Sequence, residues 1–183
     1  MTIRVLVADD QAMIRGALAG LLDLERDIEV VAQAADGAQA LEELARLTSA
    51  DAPARASTPV DVAIIDVEMP RMDGITAAQA IRSRFPDVRV LIVTTFGRPG
   101  YLQRALDAGA MGFMVKDAPV EALADGVRTV AAGGRAIDQS LALEALSAGS
   151  SPLTDREADV LREVEGGGTI ADIAHSLGLS QGT

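Results

Sequence analysis

From residue 3 onward the chain alternates short apolar runs with segments whose apolar residues recur every three or four positions. Ile3 to Val7 has the composition of a buried strand, and Ile14, Ala17, Leu18, Leu21 and Leu22 after it share a helical spacing. The same unit returns as Ile28–Val31 before Leu41, Leu44 and Ala45, and as Val62–Ile65 before Ile75, Ala78 and Ile81. It returns again as Val88–Val93 before Leu102, Ala105 and Leu106, and as Gly112–Val115 before Val120, Leu123, Val127 and Val130. Near-continuous apolar strands separated by amphipathic helices predict a parallel sheet covered on both faces and joined by right-handed crossovers. The predicted fold class is therefore α/β, with a five-stranded, doubly wound parallel sheet.

The pattern breaks in two places. Residues 48–59 carry Pro53 and Pro59 among small polar residues and read as a surface loop. After Gly133-Gly134 the periodicity thins, and Ser147-Ala148-Gly149-Ser150-Ser151-Pro152 has linker composition. Thr154-Asp155-Arg156-Glu157 then forms a capping box that opens a helix, and Thr169 opens a second that Gly178 ends. These signals divide the chain into a domain over 1–133, a linker over 134–152 and a short all-α segment over 153–183.

Composition narrows the function. No apolar run reaches the 18 residues of a bilayer span, and Met1-Thr2-Ile3-Arg4-Val5 enters the first strand without the layout of a signal peptide, so the expected compartment is the cytoplasm. Zero cysteines and a single histidine exclude thiol catalysis and cysteine- or histidine-caged metals, leaving oxygen as the ligand for any ion. A net charge of −11 and an aromatic content of 2% argue against a phosphate-backbone or base-stacking surface. His175, on the second short helix, reads as a packing or surface residue.

In an open α/β sheet, ligands bind at the carboxyl ends of the strands, beside the point where strand order reverses. The polar residues fall there repeatedly: Asp9 and Asp10 after the first strand, Asp66 after the third, Thr94 after the fourth and Lys116 after the fifth. Carboxylates gathered in one place raise the cost of ionising them all, which a divalent cation offsets. Mg²⁺ suits hard oxygen donors and accepts phosphate oxygens. With a lysine and a hydroxyl beside it, the natural reaction is phosphoryl transfer, with Asp66 as the nucleophile that becomes an aspartyl phosphate.

Together, Val7-Ala8-Asp9-Asp10, Asp66-Val67-Glu68-Met69-Pro70 with Asp73-Gly74, Thr94-Thr95, and Gly109-Ala110 with Phe113 and Lys116 make the chain resemble a bacterial two-component response regulator. The receiver domain, a flavodoxin-like fold, would cover residues 1 to 133. The resemblance implies that Asp66 accepts a phosphoryl group from a sensor histidine kinase, that Asp10 binds Mg²⁺ directly with help from Asp9, and that the Glu68 carbonyl completes the site. It implies further that Lys116 binds a phosphoryl oxygen, and that Thr94 and Phe113 form a switch altering the face of the fourth helix, fifth strand and fifth helix. One departure is that Asp117 follows the lysine, with proline delayed to Pro119, where many receivers place proline directly.

Leu153-Thr154-Asp155-Arg156-Glu157, Val160-Leu161, Ile173-Ala174, Leu177, Leu179-Ser180 and Thr183 resemble the opening of a LuxR/NarL-type helix-turn-helix domain, about half of which they cover. The family then implies phosphorylation-favoured homodimers, through the first and fifth helices or the fourth-helix face, and promoter DNA as the target of the full-length protein. The chain as given is not expected to bind operator DNA: residues 151–183 set Arg156 and Arg162 against six acids, and a reading helix would begin only after Ser180. Phe96, two residues after Thr94, is expected to screen the aspartyl phosphate from water. Two other readings stand beside this one. One is a stand-alone receiver in a phosphorelay, which the linker and capping-box helix oppose. The other is an aspartate-nucleophile phosphatase with Glu68 as second acid, although such enzymes favour aspartate there and place the nucleophile after the first strand. A turnover enzyme is not expected, beyond self-phosphorylation and slow dephosphorylation.

Overall fold

The computed structural model describes residues 2–48, 60–95, 100–138 and 141. Contacts divide the chain into two units, Met1–Leu146 and Ser147–Thr183. The expected linker sequence 147–152, the expected helices within 153–183 with His175, residues 49–59 of the expected loop, and Phe96 all lie outside the described residues.

The chain runs β1 (Ile3–Ala8), α1 (Ala12–Leu22), β2 (Ile28–Ala34), α2 (Gly37–Thr48), β3 (Val62–Ile65), α3 (Gly74–Arg84), β4 (Arg89–Thr94), α4 (Tyr101–Ala108), β5 (Gly112–Val115), α5 (Val120–Ala131) and β6 (Ala136–Ile137). All strand pairs are parallel, in the order β2-β1-β3-β4-β5-β6. Alternation along each strand feeds two cores. Val5, Val7, Val62, Ile64, Leu91, Val93 and Met114 pack with Leu22 of α1 and Leu123, Val127 and Val130 of α5. Leu6, Ala8, Ala63, Ile65, Val90, Ile92 and Phe113 pack on the other face with α2, α3 and α4. Burying each large apolar side chain on these two faces contributes about 1.5–3 kcal/mol, which is why neither face of the sheet can stand without its helices.

The structure corrects the expected strand count from five to six. Ala136 and Ile137 pair with Gly112 and Phe113, extending the sheet past residue 133. Two residues carry no periodic signal, so β6 is invisible to pattern reading. β2 also runs three residues beyond Val31, through Ala32-Gln33-Ala34, whose low strand propensity hides it; its register shifts opposite Val5 and Leu6. In α1 the buried positions are Ala19 and Leu22, while Leu21 is 38% exposed, so the apolar spacing read from the sequence marks two faces of the helix and not one.

Candidate functional site

The strand order reverses at β1, which pairs with β2 on one side and β3 on the other. In this register Ala8 faces Ile65, so the residues that follow them, Asp9 and Asp66, emerge side by side. Backbone bonds fix both: Asp66 N donates to Ala8 O at 2.9 Å and Asp9 N to Ala34 O at 3.1 Å. On the next strands Thr94 faces Val115, and Lys116 N donates to Thr94 O at 2.8 Å. Strand pairing alone therefore delivers Asp9, Asp66, Thr94 and Lys116 to one edge.

Asp9, Asp66 and Thr94 are buried, at 1%, 5% and 3% exposure, whereas Asp10 is exposed. The Lys116 ammonium lies 2.7 Å from Asp9 Oδ2 and 3.0 Å from Asp66 Oδ2. These are ionic contacts: neither Asp9 Oδ2 nor Lys116 Nζ makes a hydrogen bond of good geometry, although both are buried. Asp9 is oriented by its Oδ1, which accepts from Gln11 N at 2.9 Å, and its carbonyl accepts from Arg15 Nη1 at 2.5 Å.

Burial pushes the Asp66 carboxyl above its ordinary value, Asp9 adds repulsion, and Lys116 only partly offsets both. For Lys116, burial opposes the charge, but the two carboxylates outweigh it and hold the ammonium above its usual range. The site is thus a low-dielectric pocket with more negative charge than its lysine cancels.

One oxygen each of Asp9, Asp10 and Asp66 lies within 4.8 Å of the others, a grouping that fits a cation. The donor set is all carboxylate, so the residues suit a hard divalent ion. Glu68 differs from the other acids. It is exposed, and its carboxylate accepts from Tyr101 Oη of α4 at 3.4 Å. Phe113 is fully buried in the core beneath α4.

The loop after Asp66 is folded back tightly: Gly74 N donates to Val67 O at 2.9 Å, and a Cβ at residue 74 would stand 2.0 Å from Asp66 O. Only glycine permits that approach, and Asp73 then caps α3 by accepting from Thr76 N at 2.8 Å. Sequence reasoning did not single out Arg15 or Tyr101. Arg15 lies six residues after Asp9, in the first turn of α1, whereas Tyr101 carries no local signal.

An acidic, cation-competent pocket at the switch point of a doubly wound parallel sheet, with a buried lysine across it, defines a receiver-type α/β protein. Residues 5–128 match the model of the response regulator receiver domain. Over 181 residues, 99% of the chain and 84% of the relative, it is 40% identical to the transcriptional regulatory protein YvfU of Bacillus subtilis (strain 168). It is 39% identical, with the same coverage, to the transcriptional regulatory protein DesR of that organism. The crystal structure of the response regulator ChrA, from a heme-sensing two-component system, is similar with a TM-score of 0.62 at 33% identity, covering 98% of this chain and 83% of that one. The chain belongs to the response regulator receiver family. Among the described residues no helix is long and apolar enough to cross a membrane.

Proposed function

We propose that this chain is the phosphorylated switch of a two-component system controlling transcription, taking a phosphoryl group on Asp66 from a sensor histidine kinase. The observation that carries the reading is the convergence of Asp9, Asp10, Asp66 and Lys116 at one strand-end pocket. In the transfer an Asp66 oxygen attacks phosphorus, the P–N bond to the kinase imidazole breaks with its electron pair going to nitrogen, and the imidazole, protonated on its other ring nitrogen, leaves neutral. Asp9, Asp10, Asp66 and the Glu68 carbonyl would hold Mg²⁺, which when bound supplies charge neutralisation for the phosphoryl oxygens. Lys116, already 3.0 Å from Asp66, binds one of those oxygens, and Thr94 binds another.

The phosphoryl group brings about −1.5 to −2 of charge to the pocket, drawing Lys116 and Thr94 toward it. Thr94 lies on β4 against Val115 of β5, and Phe113 two residues earlier is buried under α4, so a shift of Thr94 is transmitted to the α4–β5–α5 face. Homodimerisation follows in this reading. Support comes from α1, where Met13 and Leu21, with Leu24 just beyond the helix, are the exposed large apolar residues among the described residues, 85%, 38% and 77% exposed. With Gly16, Ala17 and Gly20 they share one helical stripe on which a second copy could pack closely. Residues 1–133 act as the receiver together with β6, which pairs the start of the 134–152 segment into its sheet; the rest of that segment acts as linker, and 153–183 as part of a helix-turn-helix domain that serves promoter DNA in a full-length regulator. A cytoplasmic location accords with a soluble kinase domain as partner.

Against the phosphatase reading, the Glu68 carboxylate that would be its second acid is exposed and accepts from Tyr101 Oη at 3.4 Å. Incubation with a small acyl phosphate and Mg²⁺ should add one phosphoryl group to the wild-type chain. Steady turnover of a phosphomonoester, with no retained label, would overturn the proposal.

A further inference from the structure

The loop from Asp66 to Gly74 is fastened at its tip to a different element. Asp36, at the start of α2, is only 3% exposed. Its Oδ1 caps the helix by accepting from Gln39 N at 3.0 Å, while its Oδ2 accepts from Arg71 Nε at 2.8 Å and from Arg71 Nη2. Burial alone would raise the Asp36 carboxyl; the Gln39 amide and the Arg71 guanidinium outweigh it and hold it below the usual carboxylate range.

Arg71 is the one non-glycine residue with positive φ among the described residues, at 62°. Met72 N donates back to Pro70 O at 2.6 Å, which makes Arg71 the centre of a γ-turn of the rare, strained hand. A second fastening lies beside it: Gly37 N donates to Met72 O at 3.1 Å, and a Cβ at residue 37 would stand 2.8 Å from that oxygen. A strained turn of this kind persists only where its surroundings over-determine it. Glycine would adopt this φ without penalty, yet the position holds the side chain that reaches Asp36.

We propose that Asp36 and Arg71 are positioning residues whose ion pair holds the Asp66–Gly74 loop against the start of α2 and thereby sets the backbone that follows Asp66 at the carboxylate cluster. The inference rests on the proposed cation site and assigns these two residues, which touch neither cation nor phosphoryl group, to its geometry. Supports of this kind around ligating groups typically change metal affinity by roughly 10–100-fold when removed.

Arg71→Gly tests it without risking the fold, since glycine accepts the positive φ while deleting the ion pair. Mg²⁺ binding to the whole chain is followed by titration calorimetry, and phosphorylation by a small acyl phosphate is followed against Mg²⁺ concentration. Arg71→Gly and Asp36→Asn should each weaken Mg²⁺ binding by roughly tenfold. The phosphorylation plateau at saturating Mg²⁺ should stay close to wild type, the double variant should be no weaker than Arg71→Gly alone, and Arg71→Lys should recover part of the loss. If wild type binds Mg²⁺ and Arg71→Gly binds it equally well, the pair is structural only and the inference is overturned. If wild type binds no Mg²⁺, the cation site itself falls, and the positioning role falls with it.

Discussion

Two ionic clusters in this molecule carry the same kinds of group and behave in opposite ways. At the surface, Arg128 of α5 reaches Asp27 at 2.7 Å, Glu25 at 2.6 Å and Asp125 at 3.0 Å, tying α5 to the turn between α1 and β2. The arginine is 34% exposed and Asp125 is 76% exposed, so water and salt screen the pairs. At the strand ends, Lys116 and Asp66 are each 6% exposed in their side chains and Asp9 1%. The Asp27 carboxyl is held down by its hydrogen bond to Arg128, whereas the Asp66 carboxyl is pushed up by burial. Burial, not the number of ion pairs, decides which cluster stores unfavourable energy, and only the buried one has a reason to take up a cation or a phosphoryl group.

The sharpest way to separate the clusters is to remove their cations. Lys116→Ala leaves Asp9 and Asp66 buried without a counter-charge and should cost about 3 kcal/mol in urea unfolding without metal. Added Mg²⁺ should recover part of this loss, because it binds the folded state alone. Asp66→Asn works in the other direction. It removes a carboxylate that is costly to ionise, so a gain of about 1 kcal/mol is expected, raising Tm by roughly 2–4 °C for a chain of this size. Thermal melts without metal check it, and a lowered Tm would contradict the account.

The pH dependence sharpens the same contrast. Because the Asp66 pKa is raised on folding, its ionised form destabilises the native state above that pKa, and the penalty is relieved as pH falls through it. The stability advantage of Asp66→Asn should therefore be largest at neutral pH and shrink in acid. Asp27, lowered on folding, stabilises above its ordinary carboxylate value, and that contribution is lost as pH falls through its folded value. Comparing wild type, Asp66→Asn and Asp27→Asn over an acid titration should show the two sites moving in opposite senses. The smallest effect belongs to Arg128→Ala: a Tm decrease that is a fraction of that for Lys116→Ala and disappears in molar salt, with phosphorylation unchanged.

Much of this was legible in the sequence because the fold turns strand ends into a site. Asp9, Asp66, Thr94 and Lys116 each stand at the end of an apolar run, so the four strands that carry them, read correctly although β6 was missed, placed them together before any geometry was known. The register of Ala8 on Ile65 and of Thr94 on Val115 then set Lys116 within ionic reach of Asp9 and Asp66. What pattern could not show is contact between loops. The hydrogen bond from Tyr101 to Glu68 and the pairing of Arg71 with Asp36 join residues 33 and 35 positions apart. No periodicity links them, and Arg71 hides its positive φ because arginine carries no turn signal. The two-residue β6 escaped for a simpler reason, since a pattern needs several residues to exist.

The measurement that bears most directly on the central claim is the intact mass of the chain after incubation with a small acyl phosphate, with and without Mg²⁺, for wild type and Asp66→Asn. A single phosphoryl group on wild type, dependent on Mg²⁺ and absent from Asp66→Asn, is the predicted result. Equal phosphorylation of Asp66→Asn, or full phosphorylation of wild type in a chelator, would contradict the assignment of the strand-end pocket as the phosphoacceptor site.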